Sequence, residues 1–269
     1  MSYNADRWIQ GVAAASIAAT VPWVPLILEC RDPLIDDWRE FKQQTEHARG
    51  AAFISYWAFV NAPIDRKHLL SAAVVPRQIS APRPASVISP MILYAGAHSR
   101  DGGIDRLVAA VPLLKTPNVR LVITGQGKGL DPQITRACET TPGVEDLGMV
   151  PESRLVELAA TATVLVNPRP IDYGDNRTNF PSKLLDYLSF KRPIVSTRTA
   201  GIGPGYEDLV HFAASDTPLD IATAIDEVLG LSDQERSLWM QRVTAAIDRM
   251  TPSQAASDLA GWIESLLVV

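Results

Sequence analysis

Residues 179–187 read Asn-Phe-Pro-Ser-Lys-Leu-Leu-Asp-Tyr and lie between two short runs of β-forming residues. The run before them covers residues 163–168, and the run after them covers residues 193–197. The early proline suits the first turn of a helix, because the N–H groups there have no partner inside the helix. We therefore predict one α/β unit, in which a strand, a polar loop, a helix and a second strand follow one another.

Lys183 and Asp186 are three residues apart in the predicted helix and therefore share one face. The amino end of a helix attracts phosphate through its free N–H groups and its dipole, so Pro181, Ser182 and Lys183 would line a phosphate site. Asp186 would accept hydrogen bonds from sugar hydroxyl groups, and together these are the features of a nucleotide-sugar site. The alternative is a solvated surface pair, which contributes about 0.2–0.5 kcal/mol.

The composition is ordinary for a soluble globular protein, with 46% hydrophobic and 20% charged residues. A net charge of −5 argues against a nucleic-acid-binding surface, which would be basic. Cys30 and Cys138 are far apart and have no CxxC or Cys/His companions. We therefore expect reduced thiols in a cytoplasmic protein, without a disulfide framework or a bound metal.

One alanine-rich stretch, residues 11–28, is the candidate for a membrane segment. Pro22 and Pro25 interrupt it, and alanine contributes little free energy to membrane insertion. We therefore predict no transmembrane segment. The preferred interpretation is a buried helix over residues 4–20, followed by a strand over residues 24–29.

Downstream of a proline-containing linker, short apolar runs alternate with segments of helical spacing. This alternation predicts an α/β fold in which a parallel sheet has helices on both faces. Ligands of such sheets bind beyond the carboxyl ends of the strands, here the loops after residues 95, 124, 167 and 197. The predicted strands are 91–95, 119–124, 144–147, 163–168, 193–197 and 210–213. The predicted helices, besides the one that starts near Pro181, are 104–114, 151–160, 217–229, 233–249 and 252–267.

The N-terminal part has fewer predicted elements than the C-terminal part. Besides those already named, they include a strand at 51–55 and a helix near 63–70, which are too few for a complete domain. We therefore divide the chain into a partial N-terminal α/β domain (1–76), a linker (77–90) and a complete C-terminal domain (91–269). The last helix is expected to pack back on the N-terminal part.

Three motifs carry a family resemblance: Asn-Pro-Arg-Pro at 167–170, the segment 180–187, and Gly-Ile-Gly-Pro-Gly-Tyr at 201–206. Together they resemble the nucleotide-sugar signature of GT-B glycosyltransferases of family four, and the third is similar to a segment of bacterial polysaccharide members. The resemblance implies a GT-B-like fold. It also implies a complete Rossmann-like C-terminal domain and a truncated N-terminal acceptor domain.

The resemblance further implies which residues bind the donor. Asp186 stands where an acidic residue holds the donor ribose, and the glycine-containing loops stand where relatives approach the nucleotide. The expected nucleotide-sugar-binding residues are Gly96, Gly103, Gly125, Gly127, Met149, Pro181, Ser182, Lys183 and Asp186.

The chain also departs from the family. Ala97 and Gly102 stand where relatives carry an arginine and a lysine that neutralise the diphosphate, and Thr178 stands where many relatives carry a glutamate. Arg100 and Arg169 are the candidate catalytic residues, because a cation near the diphosphate would stabilise its departure. His98 is a further substitute for a missing cation.

The expected function is a retaining hexosyl-type glycosyltransferase that uses a UDP- or GDP-linked donor and a glycan or lipid-linked acceptor in polysaccharide biosynthesis, without a cofactor. The alternative is a non-catalytic nucleotide-sugar-binding remnant, or a donor-domain subunit whose missing N-terminal half lies on a partner chain. An oxidoreductase is disfavoured, because the dinucleotide fingerprint is absent. We expect a cytoplasmic location, with peripheral contact with the inner membrane if the acceptor is lipid-linked.

Overall fold

The computed structural model of the chain describes residues 26–30, 48–75, 77 and 89–267. The helix predicted over residues 4–20 lies outside these ranges, as does most of the predicted linker. Side chains are described from residue 48 onward within these ranges, up to Leu266.

Strands and helices are numbered here in chain order. The strands are β1 (Leu26–Cys30), β2 (Ala48–Phe53), β3 (Lys67–Leu69), β4 (Met91–Ala95), β5 (Arg120–Thr124), β6 (Val144–Asp146), β7 (Val164–Asn167), β8 (Ile194–Ser196) and β9 (His211–Phe212). The α-helices are α1 (Tyr56–Asn61), α2 (Ile104–Ala110), α3 (Pro132–Thr140), α4 (Glu152–Thr161), α5 (Lys183–Ser189), α6 (Pro218–Leu229), α7 (Asp233–Ile247) and α8 (Pro252–Leu267). In this part of the chain, no helix combines the length and the apolarity that crossing a bilayer requires.

Among the described strands, β4 to β9 form one parallel sheet in the order β6-β5-β4-β7-β8-β9. Leu93 at the centre of β4 lies opposite Val122 of β5 and Leu165 of β7. The chain runs outward from β4 through β5 to β6 and then returns to β7, on the other side of β4. The carboxyl ends of β4 and β7 therefore form a topological switch point, where sheets of this kind bind ligands. The predicted α/β fold with a parallel sheet is confirmed.

Apolar side chains cover both faces of this sheet. Leu93 and Leu165 face one core cluster, to which α5 and α7 contribute, whereas Ile92 and Leu121 face a second cluster formed with α2 and α6. Successive side chains of a strand point to opposite faces, so a strand buried on both faces is apolar throughout. This explains why Met91–Ala95 reads as an uninterrupted apolar run.

In the described N-terminal residues, β1, β2 and β3 form a second parallel sheet in that order. The helix predicted near 63–70 is wrong, because Lys67–Leu69 form β3 and pair in parallel with β2. The helix lies earlier, at α1, where the Ser55 hydroxyl caps the amino end by accepting a hydrogen bond from the Ala58 N–H at 3.3 Å. Pairing with a neighbouring strand overrides the local helical pattern at β3.

Helix α8 packs on this N-terminal sheet. The imidazole of His68 in β3 stacks on the indole of Trp262, with 5.1 Å between the ring centroids. The Ser71 hydroxyl donates a hydrogen bond to the Asp258 carboxylate at 2.9 Å. A Cβ atom on Gly50 would lie 2.9 Å from the Trp262 ring, so the glycine lets the indole lie close to β2. The end of the chain thus contacts its N-terminal part.

Candidate functional site

A pocket of about 250 Å³ lies at the carboxyl ends of β4 and β5, between these strands and α5. Five residues selected from the sequence line it together: Gly96, Gly125, Met149, Lys183 and Asp186. They come from three loops and one helix that are distant in sequence, and the parallel sheet brings them to one edge. This is the edge at which the strand order predicts a ligand.

Two glycines allow the first two loops to meet at the base of the pocket. Gly125 has φ +145°, and a Cβ atom there would overlap the Gly96 carbonyl group. The Gly96 N–H donates to the Thr124 carbonyl at 2.9 Å, and the Gly125 N–H donates to the Gly148 carbonyl at 2.9 Å. Backbone therefore packs directly against backbone here, which a side chain at Gly125 would prevent.

Lys183 brings an ammonium group into the pocket from the start of α5. Its Nζ lies 4.0 Å from the centroid of the Tyr94 ring, and the space that a Gly96 side chain would take holds the end of the lysine. Burial and, secondarily, nearby Arg169 lower the pKa of Lys183 to about 7, although Asp186 opposes them. The amine therefore changes charge near neutral pH.

Asp186 lies one turn further along α5, with its carboxylate at the pocket rim. One carboxylate oxygen is 3.9 Å from the guanidinium of Arg77, which also pairs with Glu152 at 2.6 Å. The same guanidinium lies 5.0 Å from the centroid of the Phe190 ring. Sequence reasoning missed Arg77 because it falls in the predicted linker, and no local motif indicates that it reaches this pocket.

Tyr187 anchors α5 to the switch point. Its buried hydroxyl accepts a hydrogen bond from the Ala95 N–H at 2.9 Å and lies 3.3 Å from the carbonyl oxygens of Ala95 and Val166. These partners lie at the ends of β4 and β7. The hydroxyl therefore fixes the helix that carries Lys183 and Asp186 relative to the sheet.

Four other residues expected to bind the donor lie outside the pocket walls. Gly103 has φ +74°, and the Pro168 carbonyl fills the space of its missing side chain. Gly127 has φ +95° and lies beside His98. Pro181 is buried and Ser182 is exposed, and the helix begins after them at Lys183.

The two candidate catalytic arginines differ in their surroundings. Arg100 points to α3, where its Nε lies 3.5 Å from an Asp131 oxygen and its Nη2 donates to Gln133 at 2.5 Å. Arg169 lies near enough to Lys183 and Tyr94 for its charge to lower the pKa of each, although burial raises the pKa of Tyr94 overall. Of the two arginines, Arg169 is therefore the one whose charge acts on a side chain of the pocket.

His98 is turned away from the pocket and links two loops and the end of β6. Its Nε2 lies 3.0 Å from a carboxylate oxygen of Asp146, and its Nδ1 lies 3.3 Å from the Gln126 carbonyl oxygen. The loops that follow β4 and β5 and the last residue of β6 therefore meet at this imidazole. A carboxylate beside the ring offsets the positive charge that His98 was expected to supply to a diphosphate.

Residues of the N-terminal part cover the backbone around Thr178. Its carbonyl accepts a hydrogen bond from the Ser55 hydroxyl, and the carbonyl of Gly201 accepts one from the Tyr56 N–H at 3.0 Å. The tyrosine ring lies against Gly203, where a Cβ atom would come within 3.2 Å of it.

Across the ranges that the structure covers, no cluster of three metal-ligating side chains occurs.

A family model described as "Glycosyl transferases group 1" matches residues 89–230, which is more than half of the chain. The matched segment holds β4 to β9 and the pocket residues from Gly96 to Asp186. A search of curated proteins by sequence finds no significant match.

Solved structures show the same fold at low sequence identity. A glycosyltransferase from Rickettsia africae matches with a TM-score of 0.66 and 14% identity, over 96% of this chain and 80% of that one. The apo form of the lipopolysaccharide outer core galactosyltransferase WaaB matches with a TM-score of 0.67 and 14% identity, over 98% and 82%. The N-terminal domain of trehalose-6-phosphate phosphatase from Candida albicans matches with a TM-score of 0.71 and 12% identity, over 93% and 67%. The GT-B-like fold is thereby confirmed.

Proposed function

This chain belongs to the family of group 1 glycosyl transferases, and on that premise we propose that it uses a nucleotide-diphosphate sugar as donor. One observation carries the proposal: Lys183, Asp186, Gly96 and Gly125 line a single pocket at the carboxyl ends of β4 and β5, next to the switch point of the sheet. The cation suits the diphosphate and the carboxylate suits the ribose hydroxyls. The glycine backbone lets the donor lie close to the protein. The acceptor in this proposal is a glycan or a lipid-linked saccharide.

In the proposed reaction, Lys183 binds the donor diphosphate, Asp186 accepts hydrogen bonds from the ribose, and the backbone near Met149 contacts the base. The sugar is transferred with retention of its anomeric configuration. The departing diphosphate takes up the proton of the incoming hydroxyl, and positive charge at Lys183 and Arg169 stabilises the charge that develops on it. No side chain acts as a nucleophile in this scheme.

A second candidate is a protein that binds nucleotide sugars without transferring them. The orientation of Arg100 favours it, because this arginine pairs with Asp131 and leaves the pocket without one expected cation. Ala97 and Gly102 add no charge in the same loop. Release of nucleoside diphosphate from the donor in the presence of glycan and lipid-linked acceptors would distinguish an enzyme from this binding protein.

The donor assignment is tested by isothermal titration calorimetry with UDP- and GDP-sugars. We expect the wild-type protein to bind one class, and Asp186→Ala to weaken that binding about ten-fold or more, since a charged hydrogen-bond acceptor is worth about 1.5–3 kcal/mol. Asp248→Ala removes an exposed carboxylate at the end of α7 and serves as the matched control. Equal affinities for the wild type and Asp186→Ala would refute the ribose contact, and no binding of any donor would refute the proposal.

The proposal includes a cytoplasmic location, with the inner membrane as the site of contact if the acceptor is lipid-linked. Cys138 fits this environment, because it is a buried free thiol. Burial also raises the pKa of its thiol to about 11, which keeps it protonated and unreactive.

A further inference from the structure

Tyr94 lies below the loop that joins β4 to α2, and its side chain is fully buried. Its hydroxyl donates a hydrogen bond to the Ala97 carbonyl at 2.7 Å, and the Gly102 carbonyl lies at 3.5 Å from the same oxygen. Both carbonyl groups belong to residues 96–103, the loop that reaches the pocket at Gly96. The tyrosine hydroxyl therefore holds the two ends of this loop together.

The face of the same ring holds Lys183. The lysine Nζ lies 4.0 Å from the ring centroid, within the distance at which an ammonium is attracted to an aromatic face. On its other side, the end of the lysine occupies the space that a Gly96 side chain would fill. The ammonium is thus held between an aromatic ring and backbone, and not in open solvent.

A lysine side chain is flexible, and a free one loses much of its rotamer freedom when it binds a phosphate. A side chain that is already held in place loses less, so a preorganised ammonium binds an anion more strongly than a mobile one does. The contact with Tyr94 supplies this preorganisation at the pocket wall.

The position of the Tyr94 hydroxyl also restricts which residue can stand at position 102. A Cβ atom at this residue would collide with the Tyr94 hydroxyl, so the position that carries lysine in similar glycosyltransferases is closed to any side chain here. Positive charge for a diphosphate would then have to come from another residue, and Lys183 lines the pocket and lies against the same tyrosine.

We propose that Tyr94 is the positioning residue of the donor site, because its ring holds the Lys183 ammonium and its hydroxyl closes the Gly96–Gly103 loop beside it. Tyr94 itself touches no donor atom in this assignment and acts through its two neighbours. The inference rests on the proposed function, since it concerns how the donor diphosphate is bound.

The first test needs no ligand. Protons above an aromatic ring are shielded, so NMR of protein labelled with ¹³C-lysine should show the Lys183 ε-methylene upfield of the other lysines. Lys183→Met identifies the signal by its loss. The shift should persist in Tyr94→Phe, which keeps the ring, and disappear in Tyr94→Leu. An unshifted Lys183 signal in the wild type would overturn the proposal.

The second test is a double-mutant cycle on the binding of UDP and GDP, measured by calorimetry. Tyr94→Leu should weaken binding about ten-fold in the wild-type background but less than about two-fold when Lys183 is already methionine. Tyr94→Phe should lose about three-fold or less, which reports the hydroxyl alone and covers the case in which Tyr94→Leu does not fold. Melting temperatures measured in parallel report the loss of packing, and the fall should be somewhat larger in the wild-type background, which also loses the contact between the ring and the ammonium.

The outcomes are distinguishable. If the wild type binds UDP or GDP and the two losses multiply, Tyr94 does not act through Lys183 and only this inference fails. If the wild type binds neither nucleotide, the proposed function fails, and the assignment of Tyr94 to a donor site fails with it.

Discussion

Replacing Lys183 with methionine should weaken the binding of UDP or GDP by about ten- to a hundred-fold, because a charge-assisted contact with phosphate is worth roughly 1.5–3 kcal/mol. Methionine keeps the length of the aliphatic side chain, so packing against the Tyr94 ring is largely retained while the charge is lost. Titration calorimetry measures the effect. Lys115→Met, at an exposed position in the α2–β5 loop, is the matched control and should bind as the wild type does.

The same lysine should make donor binding depend on pH. Burial, and secondarily Arg169, lower the pKa of Lys183 to about 7. Below this value the free protein carries the ammonium that a phosphate needs, whereas above it a proton must be taken up on binding. Affinity should therefore fall as the pH rises above about 7, by up to about ten-fold per pH unit. Lys183→Met should show no such fall between about pH 7 and 9, and a wild-type profile that is flat over this range would contradict the role given to Lys183.

Replacing Leu165 with alanine should reduce the free energy of unfolding by about 3–4 kcal/mol, which is a large part of the 5–15 kcal/mol typical of natural domains. Leu165 is 0% exposed and lies in β7, between Leu93 of β4 and Ile194 of β8. Its truncation leaves a cavity that the surrounding strands cannot fill without moving. Urea denaturation measures the loss.

The control for this change is Leu130→Ala, since Leu130 is 83% exposed. Its truncation should alter the free energy of unfolding by less than about 0.5 kcal/mol. A loss below about 1 kcal/mol for Leu165→Ala would show that the centre of the sheet tolerates a cavity, against the packing described above.

Elements with strong local signals could be predicted from the sequence. The strand at 91–95 was placed at the bounds that the structure shows, because five apolar residues end at a glycine. The parallel direction of the strands followed from the alternation of strands and helices. Helix α3 was missed although Asp131 followed by Pro132 is a typical helix start, with the aspartate carboxylate accepting hydrogen bonds from two N–H groups.

Missing that helix had a consequence for the site. Without α3, nothing in the sequence indicated that Arg100 would pair with Asp131, so it was selected as a cation for the pocket. Arg77 and β3 show the same limit, because each is placed by contacts with residues that are distant along the chain. Local spacing predicts which side chains share a helix face, but it does not predict which distant groups meet them.

The packing of α8 on the N-terminal sheet joins segments that are synthesised at very different times. The guanidinium of Arg49 donates to the Leu266 carbonyl at 3.3 Å, across a sequence separation of 217 residues. During synthesis, β2 and β3 therefore leave the ribosome long before the helix that covers them exists. Ordering such distant segments carries a loop-closure cost and slows folding. Until α8 has been synthesised, the surface of β2 and β3 that it covers stays exposed, and transiently exposed apolar surface of this kind favours aggregation.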